Sequence, residues 1–311
     1  MRTAFAPARL RTQAMRKPGL SRTAQHSFAG DVARLAVRSL HAELCLYPKP
    51  GLVSLVDRGS HDDMDAQTFM RSLFSLRHYF KKICLAGLND APFARLKQLG
   101  IEAEAAMLKA TRGINTHRGA IFSLGLLCAT AGRARAQGTP MTPTALRAAM
   151  LIRWGEELAM HAAAVPPSSP PPAQLSNGLR IAAQYAVSGA REEGALGLPS
   201  VFEIGVPALL ASRARGASMT HARIDALFTL MARISDSNVY HRAGPQGART
   251  VRTHAQHFID LGGTANADWR AQALASHHAF VQQRLSPGGA ADLLAASCLV
   301  HAIAAMEQDE Q

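Results

Sequence analysis

Two polar segments of the chain carry side chains that could hold a phosphorylated substrate and a metal ion. Residues 48–65 (PKPGLVSLVDRGSHDDMD) concentrate acids and bases between two apolar stretches. Residues 113–119 (GINTHRG) form a second polar segment, between a stretch with two glutamates and an almost entirely apolar one. Acids, bases and glycines set against apolar helices suit a site for a metal and phosphates. The pattern predicts an enzyme.

The candidate metal ligands are aspartates from three separate parts of the chain. Mg²⁺ prefers a few carboxylates together with substrate phosphate oxygens. The predicted set is Asp62, Asp63, Asp65, Asp236 and Asp292. The alternative is that the acids near residue 62 only begin a helix, with Asp65 as its N-cap.

Phosphate binding is predicted for basic side chains and for the start of a glycine-rich helix. Arginine offers bidentate geometry, and a helix N-terminus that begins with glycine lets backbone N–H groups approach an anion. The predicted substrate-binding residues are Lys49, Asn115, Thr116, Arg118, Gly119, Asn238, Arg242, Gly288 and Gly289. Alternatively, the threonine caps a helix and the Gly-Gly pair makes a turn.

Three residues are candidates for proton transfer. Glu43 falls on the apolar face of a predicted helix, so it is either a surface residue out of phase or a carboxylate directed into a site. Glu104 lies beside apolar neighbours on the next but one helix. A carboxylate on an apolar face would have a raised pKa. His117 is the other candidate acid or base.

The elements that position these residues are predicted to be helices throughout. Apolar residues recur at helical spacing, alanine is abundant, and alternating strand patterns are missing. The sequence therefore predicts an all-α, bundle-like domain with site loops between helices. The expected helices span residues 31–46, 65–83, 92–110, 120–131, 145–164, 179–189, 201–214, 221–235, 248–261, 267–285 and 289–306.

Composition and charge set the outer limits of this interpretation. The formal net charge is +12, and much of the excess lies in residues 1–29, which we predict to be a basic, disordered extension preceding a catalytic domain at 30–311. Residues 165–172 (VPPSSPPP) predict an extended loop. Apolar runs look too short to cross a bilayer. Four widely spaced cysteines, all in apolar stretches, predict buried, reduced thiols and a cytoplasmic protein.

Taken in order, five motifs carry a resemblance to a known family. PKPGLV, GINTHRGAIFSLGLL, GLPSVFEIGVPAL, SDSN with HRAG, and SPGGAADLLA make residues 31–306 resemble the triphosphoribosyl-dephospho-CoA synthases. The resemblance implies an all-helical enzyme that joins ATP to 3′-dephospho-CoA and releases adenine. Its product would pass to a transferase acting on the acyl carrier protein of malonate decarboxylase or citrate lyase. The basic composition and the lack of a fused nucleotidyltransferase-like domain favour the malonate system.

The chemistry that the resemblance implies fits the residues. A ribose hydroxyl must displace adenine at an anomeric carbon through an oxocarbenium-like state. That step needs neutralised phosphates, a proton acceptor near the hydroxyl and a hydrogen bond to the departing adenine. Two alternatives stay open. A metal-dependent helical phosphohydrolase is suggested by the His61–Asp62 doublet, and a non-catalytic nucleic-acid-binding protein by the net charge. Scattered basic residues and scarce aromatics disfavour a nucleic-acid partner.

Overall fold

The computed structural model describes residues 20–163 and 189–309 and confirms an all-α fold. In that part of the chain there are eleven α-helices and no strand. They are α1 (Arg22–Leu44), α2 (Ala66–Leu88), α3 (Phe93–Ala110), α4 (Arg118–Gln137), α5 (Pro143–Ala163), α6 (Ala190–Ala195), α7 (Val206–Ala214), α8 (Met219–Arg233), α9 (Ser237–Asp260), α10 (Trp269–Gln282) and α11 (Gly288–Asp309). A π-helical turn, Ser200–Gly205, leads into α7, and a short 3₁₀ turn, Gly263–Ala265, precedes α10.

Helix starts that depend on local signals lie where the sequence predicts them. Asp65 caps α2, its Oδ1 accepting from the N–H of Thr68 at 2.9 Å. Pro92 precedes α3 in an extended conformation. Both signals act within one helical turn. A cap accepts from free N–H groups of the first turn, and proline has no N–H that would be left unpaired there.

Several boundaries differ from the expectation, including the end of α4, which lies at Gln137 rather than near residue 131. Helix α1 begins at Arg22, capped by Ser21, so its first turns use residues that we assigned to a disordered extension ending at 29. Helix α9 begins at Ser237 rather than near 248 and is kinked at Gly244–Pro245. The polar segment 235–244 therefore starts a helix instead of forming a loop. Residues 1–19, the loop 165–172 and the predicted helix 179–189, except Gly189, lie outside the described residues.

Two hydrophobic clusters make up the core, and α11 belongs to both. The first cluster joins α1 to α5 with the later turns of α11, including Leu299 and Ile303. The second joins α8, α9 and α10 with the earlier turns of α11, including Leu294 and Cys298. Stacked Phe228 and Phe258, with ring centroids 3.8 Å apart, lie in this second cluster. A helix between two clusters must be apolar on most of its circumference.

That position explains the long apolar run of α11. Gly288–Met306 is long and apolar enough to cross a membrane by length and composition, so the expectation that no run reaches this length is wrong. Half of that stretch is buried inside the protein. It packs against α1, α4 and α8, as a core helix does.

The four cysteines are free thiols. Cys84, Cys128 and Cys298 are buried as predicted, and burial raises the pKa of each thiol. Cys45 is exposed at the end of α1, where its sulfur lies 3.5 Å from His41 Nε2. The prediction of four buried thiols is therefore wrong for Cys45, which follows the last helical turn rather than lying inside it.

Candidate active site

A cleft of about 1300 Å³ collects most of the predicted site residues. Its walls come from α1 to α6 and from the starts of α9 and α11. Every predicted catalytic, substrate-binding and metal-binding residue lines it except Lys49, Asp62 and Asp65. Segments that are far apart in the chain therefore meet at one surface.

The floor of the cleft holds a buried ion pair between Glu43 and Lys49. Lys49 is 1% exposed, and its Nζ donates to Glu43 Oε1 at 2.5 Å. Glu43 faces the cleft, so its place on the apolar side of α1 directs it into a site. Lys49 lies behind it and does not line the cleft, which corrects the prediction that Lys49 contacts phosphates. A buried carboxylate needs such a counter-charge, because desolvation alone would be costly.

The glycine-rich start of α11 is capped by the protein itself. Asp236 Oδ2 accepts from the N–H of Ala290 at 3.0 Å, and its Oδ1 accepts from the N–H of Asn238 at 2.9 Å. One carboxylate thus caps both α9 and α11. A Cβ at Gly289 would lie 3.0 Å from that carboxylate, so the glycine permits this approach. The predicted phosphate cradle at Gly288–Gly289 is therefore already occupied by Asp236.

Asp292 makes the matching contact at the start of α4. Its carboxylate accepts from the backbone N–H of Ala120, and a Cβ at Gly119 would overlap that carboxylate. Although Asp292 keeps some surface in the cleft, burial raises its pKa well above the usual range, and the charges of Glu43 and Asp236 raise it further. Burial also raises the pKa of Asp236. Burial thus disfavours the charged form of both carboxylates, and the backbone N–H groups that each one accepts from offset part of that cost.

The acids of the 61–65 segment do not join this group. The side chain of Asp62 is 86% exposed, 3.4 Å from Arg284, and that of Asp63 is 61% exposed beside His61. Asp65 Oδ1 accepts from both the N–H and the hydroxyl of Thr68. Within residues 20–163 and 189–309, no three His, Cys, Asp or Glu side chains are placed to hold a metal. The predicted five-aspartate magnesium site is not assembled, because Asp65 serves as a cap and Asp62 points to solvent.

His61 holds Arg242 rather than a metal. Arg242 Nη2 donates to His61 Nδ1 at 3.0 Å, and Nη1 donates to the carbonyl of Ser60 at 3.2 Å. His61 Nε2 lies 2.8 Å from Ser286 Oγ. Burial and the positive charge of Arg242 lower the pKa of His61 to about 4. The metal pair that a phosphohydrolase would need from His61 and Asp62 is therefore not formed.

Arg118 and Glu104 form an ion pair across α3 and α4. Arg118 Nε donates to Glu104 Oε1 at 2.7 Å, and a third of the Glu104 side chain is exposed. The expectation of a desolvated Glu104 on an apolar face is wrong, because Arg118 reaches back over it. Asn115 Oδ1 accepts from the N–H of Arg118 at 3.2 Å, so Asn115 caps α4 at the edge of the cleft.

His117 is buried, lines the cleft and is hydrogen-bonded to α2. It is 2% exposed, and its Nδ1 lies 2.6 Å from the hydroxyl oxygen of Ser72. Thr116 Oγ1 donates to the same oxygen at 2.7 Å. Burial, reinforced by the charge of Lys49, lowers the pKa of His117 to about 3. No sequence pattern marks Ser72 as a site residue, since it lies in a largely apolar part of α2.

An aromatic surface that the sequence did not indicate lies at one end of the cleft. The ring of His161 lies 5.3 Å from that of Phe93 and 6.4 Å from that of Phe122. Lys97 and Arg191 line the same end. Burial and these two positive charges lower the pKa of His161 to about 4. Aromatic faces with nearby cations suit the flat base and the phosphates of a nucleotide.

Comparison with known proteins adds independent evidence. A family model described as ATP:dephospho-CoA triphosphoribosyl transferase matches residues 29–311. Several relatives carry the name "Probable 2-(5''-triphosphoribosyl)-3'-dephosphocoenzyme-A synthase", and three of them illustrate the similarity. The protein of Acinetobacter calcoaceticus is 37% identical, with 87% of this chain and 89% of the relative covered. That of Pseudomonas putida is 40% identical (88% and 94%), and that of Vibrio cholerae serotype O1 is 36% identical (87% and 87%). No solved structure gives a significant match.

Proposed function

The chain belongs to the ATP:dephospho-CoA triphosphoribosyl transferase family, and on that basis we propose the reaction of this enzyme. It transfers the triphosphoribosyl group of ATP to the 2′-hydroxyl of 3′-dephospho-CoA and releases adenine. The product is 2′-(5″-triphosphoribosyl)-3′-dephospho-CoA. The family match confirms the resemblance seen in the sequence.

The observation that carries the proposal is the distribution of charge in the cleft. Buried acids lie at the floor, arginines lie nearer to solvent, and an aromatic surface lies at one end. Two nucleotides must be held at once, with the phosphates apart from the reacting carbon. A cleft of about 1300 Å³ exceeds the usual range for a site with one small ligand.

The triphosphate is proposed to bind through side chains rather than through helix starts. Asp236 and Asp292 already accept from N–H groups at the starts of α11 and α4, so those groups are not free to bind a phosphate. Arg118 and Arg242 keep exposed guanidinium surface on the cleft. We expect both to contact phosphate oxygens, with Mg²⁺ entering as part of the ATP substrate. The aromatic end then suits the adenine of dephospho-CoA, with Lys97 and Arg191 beside its phosphates.

The acceptor hydroxyl needs a base, and Asp292 fits that role. The hydroxyl oxygen forms a bond to the anomeric carbon of ATP while the bond from that carbon to adenine breaks. A carboxyl group with a raised pKa is a better proton acceptor near neutral pH than an ordinary aspartate. Glu43, held by Lys49, supplies a fixed negative charge that would stabilise the oxocarbenium-like carbon. His117 would supply a hydrogen bond for the departing base.

The reaction is tested by resolving its products by mass spectrometry. The protein is incubated with ATP, Mg²⁺ and 3′-dephospho-CoA, and adenine and the triphosphoribosyl adduct are expected in equal amounts. The analogue lacking the 2′-hydroxyl is the matched control and should yield no adduct. Release of phosphate or pyrophosphate without adenine would refute the proposal in favour of a phosphohydrolase. Deleting residues 1–19 should leave turnover unchanged, whereas a nucleic-acid-binding function centred on that basic segment would be lost.

We further propose that the product serves the acyl carrier protein of malonate decarboxylase in the cytoplasm. The basic, alanine- and arginine-rich composition supports this client, and both candidate clients would receive the same product. The client is therefore tested in the source cells. After deletion of the gene, mass spectrometry of the carrier proteins should show loss of the prosthetic group from malonate decarboxylase. Loss from citrate lyase alone would refute this assignment without affecting the reaction.

A further inference from the structure

Three side chains form a hydrogen-bonded series that ends at the cleft. Thr116 Oγ1 lies 2.7 Å from Ser72 Oγ, which lies 2.6 Å from His117 Nδ1. Ser72 has no exposed surface, and His117 is 2% exposed. The other ring nitrogen of His117, Nε2, is buried and has no hydrogen-bond partner among the described residues. Because His117 lines the cleft, the ring is placed to meet a bound molecule.

The direction of these hydrogen bonds fixes the tautomer of His117. Thr116 donates to Ser72, so the Ser72 hydroxyl hydrogen needs an acceptor of its own. A buried hydroxyl without an acceptor would cost free energy, and Nδ1 of His117 is the acceptor within reach. If Nδ1 accepts, the hydrogen of the neutral ring is on Nε2. Burial and the charge of Lys49 keep the ring neutral.

We propose that Ser72 is a positioning residue that holds His117 as a neutral Nε2–H donor to the adenine leaving group. The inference rests on the proposed transfer reaction. It replaces the acid–base role expected for His117 with hydrogen bonding alone. The ring of Phe69 packs edge-to-face with that of His117, with centroids 5.0 Å apart, and makes the surroundings suitable for a flat base rather than a phosphate.

The step balances without a change of charge on His117. As the bond between the anomeric carbon and adenine breaks, its electron pair moves onto the purine. A hydrogen bond from Nε2–H to a purine ring nitrogen stabilises that developing charge. The proton given up by the 2′-hydroxyl equals the proton that adenine finally takes up. A neutral imidazole is too weak an acid to supply that proton, so His117 keeps its own.

Two substitutions of His117 separate a neutral donor from an acid or base. His117→Gln places an amide N–H near the position of Nε2, whereas His117→Asn retains a polar group only near Nδ1. We expect His117→Gln to retain adenine release within about tenfold of the wild type, and His117→Asn to lose about a hundredfold or more in kcat. Equal, near-complete loss in both variants would overturn the inference, because neither amide can act as an acid or base.

Histidine tautomers are read directly by NMR of protein labelled with ¹⁵N-histidine. The His117 signals, identified by their absence in His117→Gln, should show a protonated Nε2 and an unprotonated Nδ1. Ser72→Ala should shift them toward a mixture and lower kcat without a matching rise in KM for ATP. An unchanged tautomer in Ser72→Ala, or a wild-type hydrogen on Nδ1, would refute the positioning role.

Two substitutions of Thr116 test the same series if Ser72→Ala fails to fold. Thr116→Ser keeps the hydroxyl and should retain more of the wild-type kcat than Thr116→Val, which removes the hydroxyl and should reproduce part of the Ser72→Ala effect. Identical, wild-type behaviour of Thr116→Val would count against the series. Failure of the proposed reaction is distinguishable, because the wild-type protein itself would then release no adenine while its tautomer could still be read.

Discussion

Replacing His117 by glutamine should make the protein less sensitive to acid. In the fold, burial lowers the pKa of His117 to about 3. In an unfolded chain a histidine titrates near about 6.5. Between these values the unfolded state binds more protons than the folded one, so stability falls as pH falls through this window. Glutamine does not titrate and removes this contribution.

The size of the effect follows from the two pKa values. At about pH 5 the unfolded histidine is almost fully protonated and the folded one is not, which costs about 2 kcal/mol of unfolding free energy. At about pH 7.5 the titration of His117 costs only roughly 0.1 kcal/mol of unfolding free energy. The expected loss of unfolding free energy depends little on the exact pKa of folded His117, because the acidic measurement, at about pH 5, lies well above that pKa.

The measurement is urea unfolding of wild type and His117→Gln at both pH values. Acidification should cost the wild type about 2 kcal/mol more than the variant. His26→Gln, a change at an exposed histidine of α1, is the control and should lose as much stability as the wild type. Equal losses in wild type and His117→Gln would show that the His117 ring is solvated or already charged, and the argument from burial would be refuted.

Three further predictions test the cleft. Asp292→Asn should lower the rate of adenine release by about a hundredfold without lowering the melting temperature, since it removes a buried charge but keeps the acceptor for Ala120 N–H. Gly119→Ala should destabilise the protein by about 1–3 kcal/mol in urea unfolding, because its Cβ would overlap the Asp292 carboxylate. Gly30→Ala is the control and should not destabilise, because its Cβ would come no closer than 4.0 Å to a neighbour, the flexible Arg34 side chain. Phe122→Ala should raise KM for dephospho-CoA more than KM for ATP in steady-state assays. A larger rise in KM for ATP would show that the aromatic surface does not bind dephospho-CoA.

The helices could be predicted from the sequence because their signals are local. Apolar spacing, the Asp65 cap and Pro92 each act within a turn or two of one helix. The order of five motifs along the chain was also sufficient to identify the family, since motif order and spacing can be read from the sequence without knowing which residues are in contact. The same reasoning placed Glu43 on the apolar side of α1, and that residue does face the cleft.

The roles of individual polar residues could not be predicted in this way, because a role depends on a partner from a distant segment. Asp236 and Asp65 have the same chemistry, yet one caps two helices at the cleft floor and the other caps one helix away from the cleft lining. The sequence placed Glu104 among apolar neighbours, but in the fold Arg118 forms an ion pair with it. His61 looked like a metal ligand until Arg242 was found beside it.

The sequence alone determined an all-helical enzyme, its family and which segments meet in a site. Tertiary structure decided which carboxylates are buried together, which helix starts are already capped, and that Ser72 of α2 holds His117. The division has a physical cause. Helix formation is set by neighbours within a turn, whereas the charge and hydrogen bonding of a buried group are set by whatever the fold packs against it.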